Sequence, residues 1–234
     1  MPDYDFKNAM VVTAHPDDAE FGCSGTVARW CSEGIEVVYV LCTDGSKGSS
    51  DREMNSERLA AIRKREQLAA GRVLGLKEVV FLNYPDAYLQ PTLELRRDIA
   101  REIRRHKPEV LICQYPTRPM AGERYGGHPD HMAAGEASLA AVFPTARDHL
   151  TFPELLNEGL EPHHVREVLV MGHPDPDRWI DVSDHMEVAI KALRQHKSQV
   201  GGRNVRKRVL DRKHVVGTPH DMQYAEAFKR FLFT

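Results

Sequence analysis

A doubly wound α/β fold, a mostly parallel sheet with helices on both faces, is what this 234-residue sequence predicts. Two observations carry the prediction. Short segments that are apolar throughout recur along the chain, as strands buried on both faces require. Between them lie longer stretches with helical start and stop signals, the pattern that joins parallel strands by right-handed crossovers. Residues 9–14 are the first strand, and residues 22–34 read as a helix closed by Gly34. Residues 35–42 are the second strand. A long charged helix over 55–74 stops at Gly75, and strand 78–82 follows. The next helix, 92–106, ends before Pro108, because the residue preceding a proline is pushed out of the helical region. Strand 109–113, a helix from Pro129 to about residue 142, strand 165–171, a helix over 184–196 and a last helix over 221–231 complete the order. In such a sheet ligands bind beyond the carboxyl ends of the strands, so chemistry is expected just after residues 14, 42, 82, 113 and 171.

Composition narrows the function classes. At 41% hydrophobic content the chain can bury one substantial core, and a single domain over 1–234 is expected. A formal net charge of -2 provides no positive field for nucleic acid or anionic lipid, so the expected substrate is a small molecule. No apolar run approaches the roughly 20 residues of a membrane span, and the first residues lack a basic and then apolar leader, so a cytoplasmic location is expected. The four cysteines, Cys23, Cys31, Cys42 and Cys113, form no Cys-x-x-Cys pair; they read as reduced thiols and not as a metal site.

The first strand-end loop is His15-Pro16-Asp17-Asp18. It has no glycine fingerprint for a dinucleotide; it offers one imidazole and two carboxylates, a donor set for a divalent metal. Capping of the following helix by Asp17 or Asp18 is the competing reading. The loop after the fourth strand carries His128-Pro129-Asp130-His131. Loops after neighbouring central strands face one crevice, so two more imidazoles are expected opposite the first cluster, and a His-Asp-His set would leave a fourth position on a catalytic zinc ion.

These paired tetrapeptides resemble the signatures of the PIG-L/LmbE family of zinc-dependent N-deacetylases. Thr43-Asp44-Gly45, Ile62-Arg63 with Glu66, Asn83-Tyr84-Pro85-Asp86, and Lys191 with His196-Lys197-Ser198-Gln199 extend the resemblance to about residue 200. It implies a Rossmann-like α/β domain and one divalent ion per chain, with Zn2+ commonest and Fe2+ or another ion the alternative. The implied reaction is hydrolysis of N-acetyl groups on glucosamine derivatives such as glycolipid, thiol-cofactor or chitobiose precursors. Residue by residue, it makes His15, Asp18 and His131 the metal ligands and Asp17 the general base and then acid. It makes a protonated His128 an oxyanion donor, oriented by Asp130.

Arg63 matches a family arginine that contacts substrate, and Arg124 and Tyr125, in the loop 116–127 before the second motif, are expected at the substrate rim. That loop and 144–164 are expected to decide which substrate fits. Asp86 and Asp181 also match family positions, although turn or cap duties would account for both. His173-Pro174-Asp175 lacks a following donor and reads as a loop near the rim; His220-Asp221 reads as the cap of the last helix. The basic stretch 203–214 reads as a solvated loop or a subunit contact. The expected partner is an amino-sugar substrate, with a homo-oligomer as the expected state. An amidase acting on a non-sugar or thiol-conjugate amide is the second reading, and an inactive metal- or ligand-binding relative is the third.

Overall fold

The computed structural model describes residues 4–118, 127–200 and 204–233. The apolar runs become strands β1 (Asn8–Thr13), β2 (Glu36–Thr43), β3 (Glu78–Tyr84), β4 (Val110–Gln114) and β5 (Glu167–Met171), followed by β6 (Arg178–Asp181) and β7 (Ala225–Leu232). They form one seven-stranded sheet in the order β3-β2-β1-β4-β5-β7-β6. The first five strands pair in parallel, while β7 runs antiparallel to both β5 and β6. This is the doubly wound, mostly parallel sheet that the sequence predicts. The helices are α1 (Asp18–Gly22), α2 (Ser24–Ser32), α3 (Ser56–Leu74), α4 (Leu93–His106), α5 (Pro129–Ala140), α6 (Glu154–Asn157), α7 (Met186–Leu193), α8 (Lys197–Val200) and α9 (Val205–Gly217).

Alternate strand residues enter two separate cores, which is why the runs are apolar at every position. Val11, Val37, Tyr39, Leu41 and Ile112 pack with Val27 and Trp30 of α2, Ala70 of α3 and Ile190 of α7. Met10, Val12, Val38, Val40 and Leu111 pack on the opposite face with Leu95, Ile99 and Ile103 of α4 and Ala133 and Ala137 of α5. From β1 the chain winds outward through β2 and β3, then crosses to β4 and β5 on the other side. The switch point therefore lies between β1 and β4, where the two His-Pro-Asp loops leave the sheet.

Helix α5 sits very close to this edge. A Cβ at Gly135 would stand 2.2 Å from the Gln114 carbonyl oxygen. Both partners are backbone held by regular structure, so neither yields cheaply. Gly135→Ala is expected to destabilise the protein by about 1–3 kcal/mol, lowering Tm by roughly 2–4 °C per kcal/mol for a chain of this size. A thermal melt matching the parent would show that α5 is not seated this tightly.

Three elements differ from expectation. The helix expected over 22–34 starts earlier and breaks at Cys23, where φ is -139°, into α1 and α2. Residues 221–231 are not a helix: Ala225, Phe228 and Phe231 have helical spacing, yet they lie in β7, which satisfies the edge of β5 by pairing Met171 with Phe228 and Val168 with Phe231. No helix follows His220-Asp221, and His220 instead stacks on Trp179 at 3.8 Å between ring centroids. The basic stretch, in turn, is helical from Val205 on, residue 203 lying outside the described residues. Asn204 caps α9 by accepting from the Lys207 amide, Val205 and Val209 are buried, and Lys213 reaches the Glu226 carboxylate at 2.8 Å.

Candidate metal centre

The β1 loop is shaped before any ligand is considered. Asp17 has φ 87°, a left-handed conformation that is strained for a residue with a side chain, and its carbonyl accepts from Phe21 N–H to start α1. This turn directs Asp17 and Asp18 to different surroundings. Asp18 Oδ2 accepts from the His15 backbone N–H at 2.8 Å and from Gln114 Nε2 at 3.1 Å, while Oδ1 lies 3.0 Å from His131 Nε2. Gln114 Oε1 accepts from Ala14 N–H at 2.9 Å, so one amide at the end of β4 ties both sides of the crevice together.

His15, His128 and His131 converge. Their ring centroids are 4.7 Å apart for His15 and His128 and 5.2 Å apart for the other two pairs. His128 and His131 come from the first turn of α5, where positions three apart share a face. Among the described residues, these three imidazoles can each offer a nitrogen within 4.8 Å of the other two. Asp18 bridges two of them, with His15 Nδ1 at 3.3 Å from Oδ2. Behind the trio, His15 Nε2 faces Asp86 Oδ1 at 3.0 Å and Asp130 Oδ2 at 3.2 Å.

Charge explains what this arrangement suits. Burial opposes a charge on His15, but contacts with Asp130, Asp18 and Asp86 outweigh it and push the imidazole up to about 12. Burial would raise the Asp18 carboxyl, yet His131 and His15 hold it far below the usual carboxylate range. Imidazole lone pairs and carboxylate oxygens at 3.0–3.3 Å need a proton or a cation between them. The three imidazoles, or His15 with Asp86 and Asp130, could hold a metal ion, and Asp18 adds carboxylate oxygens beside His15 and His131. The buried Asp130 Oδ1 has no hydrogen-bond partner among the described residues, so the site carries negative charge in reserve.

Asp130 departs from the role implied by resemblance. It does not orient His128: its Oδ1 lies 3.9 Å from His128 Nδ1, whereas Oδ2 accepts from Ala87 N–H at 2.8 Å and faces His15. His128 Nδ1 instead accepts from the Asp130 backbone N–H at 3.1 Å, capping α5. That contact assigns the proton of the neutral ring to Nε2. Burial lowers the His128 pKa, and the neighbouring His15 and His131 lower it further, which favours an Nε2–H donor over the expected imidazolium at this helix N-terminus.

Asp17 is unlike its neighbour. Burial raises its carboxyl, the Asp18 charge raises it further, and Arg63 and His196 only partly oppose this, leaving it near pH 7, at about 7. Arg63 lies on α3, with its side chain 6% exposed. Its guanidinium donates to the carbonyls of Pro16, Gly45 and Lys47, and stands 3.6 Å from Asp17 Oδ1 and 3.7 Å from Asp86 Oδ2. The arginine expected to meet substrate thus also clamps the loops after β1 and β2.

Two hollows flank the trio, and His128 lines both. The larger, about 470 Å³, is walled by Phe21, Gln114, Tyr115, Thr117, His131, Met132 and Met171, with Arg212 of α9 at its side. The smaller holds Asp17, Arg63, Asp86 and Gln199. Arg124 and Tyr125 lie outside the described residues. Residues 144–164 line neither hollow, contrary to expectation: the Arg104 guanidinium donates to the carbonyls of Thr145, Asp148 and Thr151 and ties that segment back onto α4. His173 follows β5, packs against Tyr115 at 4.7 Å and accepts from Asp175 N–H, a loop role near the rim.

Sequence reasoning underrated Asp86 and missed Gln114, Gln67 and Glu20. Asp86 follows β3 at a strand end, the signal that could have raised its rank; Gln114 is the lone polar residue closing an apolar strand.

A doubly wound sheet with converging histidines and carboxylates at its switch point defines the class, an α/β protein with a His/Asp group that could hold a metal ion. The model of the family described as PIG-L, GlcNAc-PI de-N-acetylase, matches residues 10–142. This chain belongs to that family. It is 35% identical over 198 residues to a diacetylchitobiose deacetylase of Thermococcus kodakarensis, covering 85% of this chain and 72% of the relative. Identity to a probable N-acetyl-alpha-D-glucosaminyl L-malate deacetylase of Bacillus anthracis is 29% over 201 residues, covering 82% of this chain and 81% of that one. The solved N,N'-diacetylchitobiose deacetylase of Pyrococcus horikoshii, in complex with its inhibitor, superposes with a TM-score of 0.90 at 29% identity, over 97% of this chain and 85% of the other.

Proposed function

We propose that this chain is a zinc-dependent deacetylase that hydrolyses the N-acetyl group of an N-acetylglucosamine-type substrate, with His15, Asp18 and His131 as metal ligands. The observation that carries the reading is Asp17, a half-buried carboxylate at the strand end beside a convergent His/Asp group that could hold a cation, pushed up to about 7 by desolvation and by the Asp18 charge. When bound, the ion would supply Lewis acidity toward the amide carbonyl and toward water, with iron(II) as the alternative to zinc. Asp17 takes a proton from the attacking water as its oxygen bonds to the carbonyl carbon. The same carboxyl then gives that proton to the sugar nitrogen as the C–N bond breaks, releasing the amine and acetic acid, whose remaining proton passes to the amine or to water to leave acetate. A carboxyl that gains and loses protons near neutrality suits both halves. His128 Nε2–H donates to the carbonyl oxygen as negative charge develops there. Arg63 holds Asp17 from one side and, on the smaller hollow, supports a substrate contact.

The larger hollow, with Tyr115 and Phe21 as flat apolar walls, supports a sugar ring or disaccharide as substrate. The four cysteines are free thiols, which supports work in a reducing, cytoplasmic compartment. Among the described residues no helix is long and apolar enough to cross a membrane.

The test is amine release by zinc-loaded protein. N,N'-diacetylchitobiose and N-acetylglucosamine are expected to be deacetylated; turnover confined to N-acylated amino-acid conjugates would transfer the reading to a non-sugar amidase. His128→Ala is expected to keep its metal and lose roughly 10²- to 10³-fold in turnover, the usual cost of one oxyanion donor. Unchanged turnover, or a loss that merely follows metal content, would remove His128 from the mechanism.

A further inference from the structure

The deacetylase reading leaves a buried histidine unused. His196, in the turn between α7 and α8, is fully buried against Glu20 of α1, with its Nε2 3.3 Å from Glu20 Oε2 and both side chains 0% exposed. Glu20 Oε1 accepts from Gln67 Nε2 at 2.9 Å, and Gln67 Oε1 accepts from the Asp17 backbone N–H at 3.2 Å. Gln67 is itself 0% exposed. Four residues from three segments thus form one line that ends on the strained peptide of the base; its first step is a close charge contact and not an aligned hydrogen bond, since His196 Nε2 and Glu20 Oε2 have no hydrogen-bond partner among the described residues.

We propose that His196 is a positioning residue: through Glu20 and Gln67 it holds Asp17 in its left-handed conformation, with the carboxylate turned toward the reacting amide. The amide of Gln67 is the deciding part. Only with Nε2 toward the Glu20 carboxylate does Oε1 remain to accept from Asp17; the flipped amide would set a donor against a donor. The orientation therefore depends on Glu20 staying in place as an acceptor, and His196 faces its other oxygen. Burial alone would disfavour an imidazolium there, and Glu20, Asp17 and Glu66 outweigh it to raise the His196 pKa. The segment is anchored independently, because Ser198 N–H and Oγ donate to Glu66 at 2.8 and 2.6 Å, one residue before Gln67 on α3.

The proposal rests on the reading of Asp17 as the base, and its test separates the two. Amine release from N,N'-diacetylchitobiose is measured for the zinc-loaded parent, His196→Leu, His196→Gln and Gln67→Met. His196→Leu and Gln67→Met are expected to lose about 10- to 100-fold in kcat, the usual cost of an outer partner, with KM and metal content unchanged. His196→Gln, which keeps an N–H for Glu20, is expected to recover most of the loss. In an Asp17→Asn background, adding His196→Leu is expected to cost nothing further, since the group being positioned is gone. Equal losses in His196→Leu and His196→Gln, an additive loss in the double variant, or a parent-like Gln67→Met would each overturn the proposal. If His196→Leu fails to fold, Gln67→Met and His196→Gln decide it. Failure of the base reading itself would appear separately, as full turnover in Asp17→Asn alone.

Discussion

His15→Ala and His131→Ala are expected to strip the metal ion and nearly all turnover with it. Both side chains border the space in which Asp18 also offers oxygens at 3.0 and 3.3 Å, so removing either leaves two donors where a catalytic zinc ion uses three. Lewis-acid stabilisation amounts to several kcal/mol, so the loss should reach about three or more powers of ten. The two variants should nevertheless differ in stability. His15 neutralises Asp86 and Asp130, which are 3% and 0% exposed, and its removal sets two buried carboxylates against one another. His131 has a side chain 31% exposed and, among the described carboxylates, pairs with Asp18 alone. His131→Ala should therefore melt close to the metal-free parent, and His15→Ala well below it. Metal analysis paired with thermal melts checks both statements; stoichiometric metal in either variant would remove that residue from the ligand set.

Asp17→Asn is expected to retain the metal while turnover falls by roughly 10²- to 10⁴-fold, the span of general acid–base catalysis. The parent supplies a second test through pH. The base works deprotonated, so turnover should rise with pH along a limb at or below about 7, since a cation held beside Asp17 favours its charged form. Asparagine should erase that limb. Stability should change in the opposite sense from activity. A carboxyl raised from 3.8 to about 7 in the folded protein weakens folding once pH exceeds the unfolded value, and the penalty is complete above the folded one. Metal-free Asp17→Asn should thus melt above the metal-free parent at pH 8, with the gain shrinking as pH falls toward 4; asparagine also tolerates the left-handed φ of 87° better than most residues. A variant that melts lower at pH 8 would contradict the assignment of burial as the cause of the raised pKa.

The candidate site was legible where its residues are local in sequence and leave the ends of buried strands. His15, Asp17 and Asp18 follow β1, and His128 and His131 begin α5 beyond β4. An apolar strand with an abrupt polar ending needs no neighbour to be recognised, and the switch-point rule then brings two such endings together. The partners behind them could not be ranked in this way. Gln114 meets Ala14 across 100 residues, Asp130 meets His15 across 115, and Gln67 meets Glu20 across 47. Nothing in the local spelling of a glutamine or glutamate announces a partner at that distance.

By itself the sequence determined the alternation of strands and helices, because burial on both faces leaves each parallel strand continuously apolar and each crossover amphipathic. It also determined which loops carry the chemistry. Tertiary structure decided three things. It made residues 225–232 a strand despite helical spacing, because the open edge of β5 needed hydrogen-bond partners that a helix cannot give. It made 205–217 a helix, because Val205 and Val209 found an apolar face and Lys213 a buried carboxylate to neutralise. And it turned Asp130 from His128 to His15, because a backbone N–H at the start of α5 had already taken the one acceptor that His128 could offer.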